Sequence, residues 1–223
     1  MDWRFNMKKL HVAALSVLAS TLLAGCASNT TTADLDKLTS DIVKASFTDK
    51  GIVKVAVIAP EDINTACSAA EVAGKPINAD VADALQAAQL KTIKWPADGK
   101  FMGDWKAGEK LAQSGRGLTW SDAADTANGG NCYNCHQMDP KEISYGTIGP
   151  SLTGYAKTRG VIADPTSPAS KAIIEYTWGK IWNAKAYNAC SVMPRAGHKG
   201  IITETQVKDL MALLLDPKSP VNQ

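Results

Sequence analysis

The sequence predicts a mainly α-helical fold, and three observations support that prediction. Four stretches repeat apolar residues at helical spacing. The last of them opens with a capping-box pattern, which marks a helix start. Only residues 51–60, rich in β-branched side chains, suggest a short strand or extended segment. At 223 residues the chain is long enough for one sizeable domain or two small ones.

Residues 1–25 have the pattern of an export signal, with basic side chains before an apolar run from Leu10 to Ala24. At roughly 15 residues this run is short for a membrane-spanning helix. It ends in Leu-Ala-Gly-Cys26, which resembles a lipobox, so we expect cleavage before Cys26 and lipidation of its thiol. The alternative is an ordinary secretory signal cut nearby. Either route predicts a periplasmic protein, and the lipid would anchor it to a membrane.

The charge balance excludes one class of partner. Without the signal, which carries three basic residues and one acidic residue, 21 side chains of each sign remain and the formal net charge is zero. No basic run interleaved with aromatic residues occurs in the sequence. We therefore expect no nucleic-acid binding.

Three segments follow the export signal in the predicted organisation. Residues 26–42 are small and polar and are expected to form a flexible tether. Residues 43–100 are predicted to be an N-terminal extension, in which residues 80–94 form an amphipathic helix that ends before Trp95-Pro96. Residues 101–223 are predicted to be the main domain.

That domain is predicted to hold three helices. The first runs from Asp104, its N-cap, to about Ser114, and a polar loop follows over residues 115–131. The second covers residues 168–183. The third begins after Thr203, with Gln206 at the reciprocal capping-box position, and ends at Asp216-Pro217. The remaining residues, 218–223, are expected to be extended and either to pack on the domain or to fray.

In an oxidising compartment, free thiols are rare, so a chemical role must be assigned to each of the five cysteines: Cys26, Cys67, Cys132, Cys135 and Cys190. Cys132 and Cys135 belong to Cys-Tyr-Asn-Cys-His136, a motif that suits covalent attachment of one haem c, with His136 as an axial iron ligand. A redox dithiol and half of a zinc site are the alternatives. The dithiol lacks a βαβ context, and the zinc site lacks a second cysteine pair.

Cys67 and Cys190 remain, and we expect them to form a disulfide. The alternatives are two free thiols, or Cys190 as a reactive or ligating sulfur.

The sixth iron ligand has five candidates: Met102, Met138, Met193, His198 and Met211. Met193 is favoured, because it lies in a loop between two predicted helices and Pro194 would hold an extended backbone beside its sulfur. His198 is the main rival. A methionine sulfur favours Fe(II) and fills the coordination shell, which indicates electron transfer at this iron. We also expect the Pro150 carbonyl to orient the Nδ1 hydrogen of His136; the alternative is a simple Gly-Pro turn.

Basic residues near the presumed haem edge are candidates for guiding a partner: Lys157, Arg159, Arg195 and Lys199. The alternative is an ordinary solvated surface.

The order helix, Cys-x-x-Cys-His, Gly-Pro-x-Leu, Met-Pro loop and terminal helix resembles a class I cytochrome c over residues 101–216. A narrower resemblance rests on four segments, residues 131–137, 148–155, 188–198 and 213–222. The last two read Asn-Ala-Cys-Ser-Val-Met-Pro-Arg-Ala-Gly-His and Leu-Leu-Leu-Asp-Pro-Lys-Ser-Pro-Val-Asn. Together they resemble the SoxX family, the mono-haem subunits of the SoxXA cytochromes of thiosulfate oxidation.

This resemblance implies that the chain has no catalytic residue of its own and passes electrons within an L-cysteine S-thiosulfotransferase. A SoxA-like partner would hold the catalytic haem, where thiosulfate is joined oxidatively to a cysteine of a SoxYZ-like carrier protein. The electrons would leave to an acceptor c-type cytochrome. The main competing hypothesis is a lipid-anchored mono-haem shuttle that serves a terminal oxidase; a third, a sensor or peroxidase, would need an open sixth position on the iron.

Overall fold

A computed structural model describes residues 31–161, 164 and 166–223. This part of the chain is helical, with an isolated bridge between Lys50 and Val53 and no β-strand. None of its helices is long and apolar enough to cross a membrane. The predicted export signal and Cys26 lie outside the described residues. Its α-helices are α1 Thr32–Ser46, α2 Asp62–Val72, α3 Ala79–Leu90, α4 Trp105–Gln113, α5 Tyr155–Thr158, α6 Lys171–Trp182 and α7 Glu204–Leu215.

The chain divides into two compact units, one ending at Thr48 and the other running from Asp49 to Gln223. The described part of the first unit is helical where the sequence analysis expected a flexible tether over residues 26–42. Helix α1 forms because Thr31 and Asp34 make a complete capping box, in which each side chain accepts from the other's backbone N–H. In the second unit, residues 49–100 pack together with residues 101–223.

The β-branched segment at residues 51–60 is not a strand. Val55–Ile58 forms a single turn of 3-10 helix, and the Asp49 carboxylate accepts a 2.8 Å hydrogen bond from the Val55 N–H. The Val57 side chain is 75% exposed. In the described chain this segment has no neighbouring strand to pair with, so β-branched content alone was misleading here.

Helix α3 begins at Ala79, one residue before the predicted start, with Asn78 as its N-cap, and ends at Leu90 rather than near residue 94. Beyond its end, the Ile93 side chain turns into the core. The Lys94 carbonyl accepts a 2.8 Å hydrogen bond from the indole N–H of Trp178. These two contacts require the backbone to leave the helix four residues early.

Helices α4 and α7 cross closely and confirm both predictions for these segments. A Cβ at Gly108 would lie 2.2 Å from the Asp209 carbonyl oxygen, so glycine allows the two backbones to approach. The Gly103 N–H donates to the Lys208 carbonyl at 2.9 Å, and the Asp104 N–H donates to the Asp209 carboxylate at 2.9 Å. The crossing is therefore held by packing and by backbone hydrogen bonds.

Helix α6 supplies the aromatic part of the core, and it confirms the helix predicted over residues 168–183 once the preceding 3-10 turn, Pro168–Ser170, is included. Trp178 is fully buried and stacks on Trp182 at 5.8 Å between ring centroids. Phe101 meets the Trp178 ring edge-on at 5.4 Å. Such aromatic contacts add to the free energy gained from burying the rings.

The C-terminal residues pack on the domain and do not fray. Ser219 and Val221 are fully buried, and Pro220–Asn222 forms a 3-10 turn. The Asn222 amide donates to the carbonyls that end α7, those of Leu214 and Asp216, and its oxygen accepts from the Ala156 N–H at 3.0 Å. This segment clasps the end of α7 to the start of α5.

Candidate functional site

The Cys132–His136 segment is a tight turn that brings two thiols and an imidazole together. Cys132–Asn134 forms a 3-10 turn, and the Cys132 carbonyl accepts from the N–H groups of both Cys135 and His136, at 3.1 and 2.9 Å. Both cysteines are half-buried free thiols. The turn follows Asn131, which takes the left-handed conformation at φ +51°. The spacing of the motif thus gives the compact cluster that its chemistry needs.

The His136 ring is held by the segment that follows it in the chain. Its Nδ1 lies 2.7 Å from the Pro150 carbonyl oxygen, which confirms the contact predicted from the sequence. Because a carbonyl can only accept, Nδ1 must carry the hydrogen. Among the described residues, Nε2 has no hydrogen-bond partner. The imidazole is therefore fixed with its Nε2 left free for a metal.

Glycine beside this ring is required by space. A Cβ on Gly149 would lie 2.2 Å from Cε1 and 2.5 Å from Nδ1 of His136. The backbone of Gly149 is itself tied to the motif, because its N–H donates to the Cys135 carbonyl at 2.8 Å. The Gly-Pro pair thus shapes the environment of the imidazole with backbone atoms alone.

A partly buried polar pair, which was not predicted from the sequence, supports the motif from helix α4. The hydroxyl of Tyr133, which is 6% exposed, donates to the Glu109 carboxylate at 2.8 Å and accepts from the Asp139 N–H at 3.2 Å. Burial raises the pKa of Glu109, partly offset by the Tyr133 hydrogen bond. Burial also raises the pKa of the Cys132 thiol to about 12, so the unattached thiol is neutral at physiological pH.

The predicted partner of His136, Met193, lies half-buried in the loop between α6 and α7. Its N–H donates to the Ser191 hydroxyl at 3.2 Å. Cys190, three residues earlier, is joined to Cys67 by a disulfide, the pairing expected from the cysteine count. No hydrogen bond or ion pair joins this loop to Cys132–His136 within the described residues. The two halves of the predicted ligand set are thus held by different parts of the fold.

The other predicted ligand candidates are placed differently. Met138 and Met211 are fully buried members of the hydrophobic core, and Met102 packs against that core. His198 is half-buried, and its N–H donates to the Trp182 carbonyl at 2.9 Å. Burial, followed by the positive charges of Arg195 and Lys199, lowers the pKa of His198.

The four basic residues of the predicted docking surface differ in their exposure. The Arg195 side chain is only 7% exposed and makes an ion pair with Glu61 at 2.9 Å. Lys199 pairs with the same carboxylate. The Arg195 charge therefore serves a contact inside the protein, whereas the Lys199 side chain is 46% exposed and Lys157 and Arg159 are exposed as well.

The residues present fit a haem. No cluster of three or more His, Cys, Asp and Glu side chains able to hold a bare metal ion occurs in the described ranges. A haem iron needs only two protein ligands, since the porphyrin supplies four nitrogens. In the same ranges, the one buried side-chain nitrogen or oxygen without a partner is Nε1 of Trp182, a donor that an acceptor on a bound group would satisfy.

Comparison with known proteins identifies a relative of this chain but does not assign the chain to a family. No family model matches the chain. It is similar to an uncharacterized lipoprotein of Aquifex aeolicus (strain VF5), with 37% identity over 151 residues. The similarity covers 66% of this chain and 66% of the relative.

Proposed function

We propose that this chain is a lipid-anchored c-type cytochrome that carries one covalently bound haem and transfers electrons. The observation that supports this proposal most directly is the fixed imidazole of His136. The ring is oriented by the Pro150 carbonyl at 2.7 Å and packed by Gly149, and it belongs to the same turn as two free thiols. A histidine with one nitrogen bonded to the backbone and the other free is prepared for metal ligation. A dithiol enzyme would not need this arrangement.

Each residue then has a defined task. Cys132 and Cys135 would form thioethers to the haem, which fix the ring against the imidazole of His136. Met193 is proposed as the second axial ligand. When bound, the haem would supply a one-electron centre, whose potential depends on its axial ligands. With both axial positions filled by the protein, this iron would exchange electrons and not bind a substrate.

The lipid anchor rests on two observations. The Leu-Ala-Gly-Cys26 sequence follows an apolar run of export type, and the relative from Aquifex aeolicus is a lipoprotein. A lipid on Cys26 would hold the second compact unit close to a membrane surface in the periplasm.

We further propose that the chain is the SoxX-like subunit of a thiosulfate-oxidising complex. The support is the sequence resemblance and the use that the fold makes of two of its segments. Cys190 is disulfide-bonded beside Met193, and the terminal Ser-Pro-Val-Asn clasps α7 to α5. Bond formation between thiosulfate and the carrier cysteine would then belong to a SoxA-like partner.

The test is purification of the full-length protein from the cells that produce it. Copurification with a second haem protein, and reduction of this haem by thiosulfate only when a SoxYZ-like carrier is added, are expected. A free monomer that thiosulfate never reduces, but that a quinol-oxidising complex does, would contradict the thiosulfate role and favour a shuttle to a terminal oxidase.

A further inference from the structure

Helix α2 holds the Met193 loop at two points. Glu61, the residue just before the first turn of α2, contacts Arg195, two residues after the methionine. Cys67, on the same helix, is bonded to Cys190, three residues before it. The two restraints therefore bracket Met193 from one rigid element that lies more than 100 residues away in the chain.

The contact at Arg195 is a bidentate ion pair in which the arginine is buried and the carboxylate is partly exposed. Its two terminal nitrogens donate to the two carboxylate oxygens of Glu61, each at 2.9 Å. The guanidinium also donates to the amide oxygen of Gln89 at 3.1 Å. Because the arginine is 7% exposed, it has little water to replace these partners.

The ion pair belongs to a network that reaches other elements. Gln89, near the end of α3, also accepts from the Asn183 amide at 2.9 Å. Asn183 is fully buried and donates to the Thr92 hydroxyl at 2.8 Å. Since Asn183 follows α6 directly, the network joins the ends of α3 and α6 to the loop. Such a network favours one loop conformation, because each buried group needs its partner.

We propose that Glu61 is a positioning residue for the Met193 sulfur, acting through Arg195 together with the Cys67–Cys190 disulfide. This inference rests on the proposed function. The disulfide holds the loop before the methionine, and on the second side the His198 N–H holds it five residues after the methionine, at the Trp182 carbonyl, which leaves Pro194 to Gly197 between that bond and the sulfur. The ion pair fixes that second side. Together they would keep the sulfur in the position of a ligand and so keep small external molecules off a bound haem iron.

The proposal is tested on the full-length haem-loaded protein with Glu61→Gln. The matched control is Asp98→Asn, which breaks another ion pair in the same unit, to Lys208 at 3.1 Å. Two spectra are recorded below the unfolding temperature: the weak far-red band that methionine sulfur gives ferric haem, and carbon monoxide binding to the ferrous protein. Glu61→Gln should lose most of the band and bind carbon monoxide at least tenfold more readily, with its haem content unchanged. Asp98→Asn should match wild type, and Glu61→Asp should recover part of the band.

The reduction potential separates positioning from simple electrostatics. If the sulfur stays bound, removing the Glu61 charge leaves Arg195 uncompensated two residues from the proposed ligand and raises the potential. If the sulfur leaves, the potential falls, because the thioether favours Fe(II). A fall in Glu61→Gln is expected.

Two further outcomes are decisive. A normal methionine band in wild type that persists in Glu61→Gln, with a raised potential, would overturn this inference alone. Wild-type protein without covalent haem would overturn the proposed function, and this inference with it.

Discussion

His136 and Pro150 are 14 residues apart in the chain, yet Nδ1 of the imidazole lies 2.7 Å from the Pro150 carbonyl oxygen. Gly149 makes this approach possible, since its backbone lies against the ring where a side chain would collide. The pair explains why Gly-Pro follows the motif: the first residue gives room and the second gives an acceptor.

Gly149→Ala should disturb the imidazole without removing it. Its Cβ would lie 2.2 Å from Cε1 of His136, so the ring or the 149–150 backbone must shift. We expect a destabilisation of about 1 to 3 kcal/mol and a changed haem absorption spectrum. Urea unfolding and the absorption spectrum check this. Thr147→Ala, at an exposed neighbouring position, is the control. An unchanged spectrum in Gly149→Ala would refute the role given to this glycine.

Acid should weaken the fold through Glu61. Two hydrogen-bonded cations, Arg195 first and then Lys199, lower the pKa of Glu61 from 4.5 to about 2. A carboxyl with a lowered folded-state pKa stabilises the protein above its unfolded-state pKa, and that contribution is lost as pH falls from about 4.5 towards 2. Since the side chain is 38% exposed, solvent screening leaves about 1 to 2 kcal/mol.

The measurement is urea unfolding of wild type and Glu61→Gln at pH 7 and pH 3. The stability difference between them should be largest at pH 7 and shrink at pH 3, where the carboxyl is protonated in the unfolded chain but still mostly ionised in the folded one, so that folding must release a proton. An equal difference at both pH values would show that the glutamate charge does not stabilise this contact.

The clasp at the C-terminus should be a measurable part of stability. Asn222→Ala removes two donated hydrogen bonds and one accepted from the Ala156 N–H, and leaves backbone groups without partners. We expect a loss of about 1 to 3 kcal/mol in the free energy of unfolding. Gln223→Ala, at an exposed neighbour, should change it by less than about 0.5 kcal/mol. Equal effects of the two changes would mean that the clasp is not specific to Asn222.

Membrane attachment should depend on Cys26. Cys26→Ser removes the thiol that would carry lipid, so the protein should move from the detergent phase to the aqueous phase in a detergent phase-separation assay. Ser28→Ala should stay with the detergent. A Cys26→Ser protein that remains in the detergent phase would show that another feature anchors the chain.

Local signals in the sequence predicted much of the fold. The capping box of Thr203 and Gln206, the Asp104 N-cap and the Pro150 acceptor each depend on residues that are close in the chain or on fixed chemistry, and each is present. Helix α1 has an equally local signal in Thr31 and Asp34. The small, polar residues of this segment led instead to the prediction of a flexible tether.

The long-range contacts were beyond reach from a single sequence. Nothing local to Arg195 tells that its guanidinium is buried against Glu61, 134 residues away. The Tyr133–Glu109 pair and the close contact of Gly108 with Asp209 likewise depend on which helices pack together. For the same reason the early end of α3 was missed, since it depends on the indole of Trp178.

The most direct test of the central claim is whether haem is bound covalently to Cys132 and Cys135. Acid–acetone extraction of the full-length protein, followed by the pyridine haemochrome spectrum of the precipitated chain, measures this. The account predicts that one haem per chain stays with the precipitate, with the spectrum of haem c, and that Cys132→Ser combined with Cys135→Ser loses it. Both thiols open to alkylation in the protein from its own cells, with no haem left on the chain, would contradict the account.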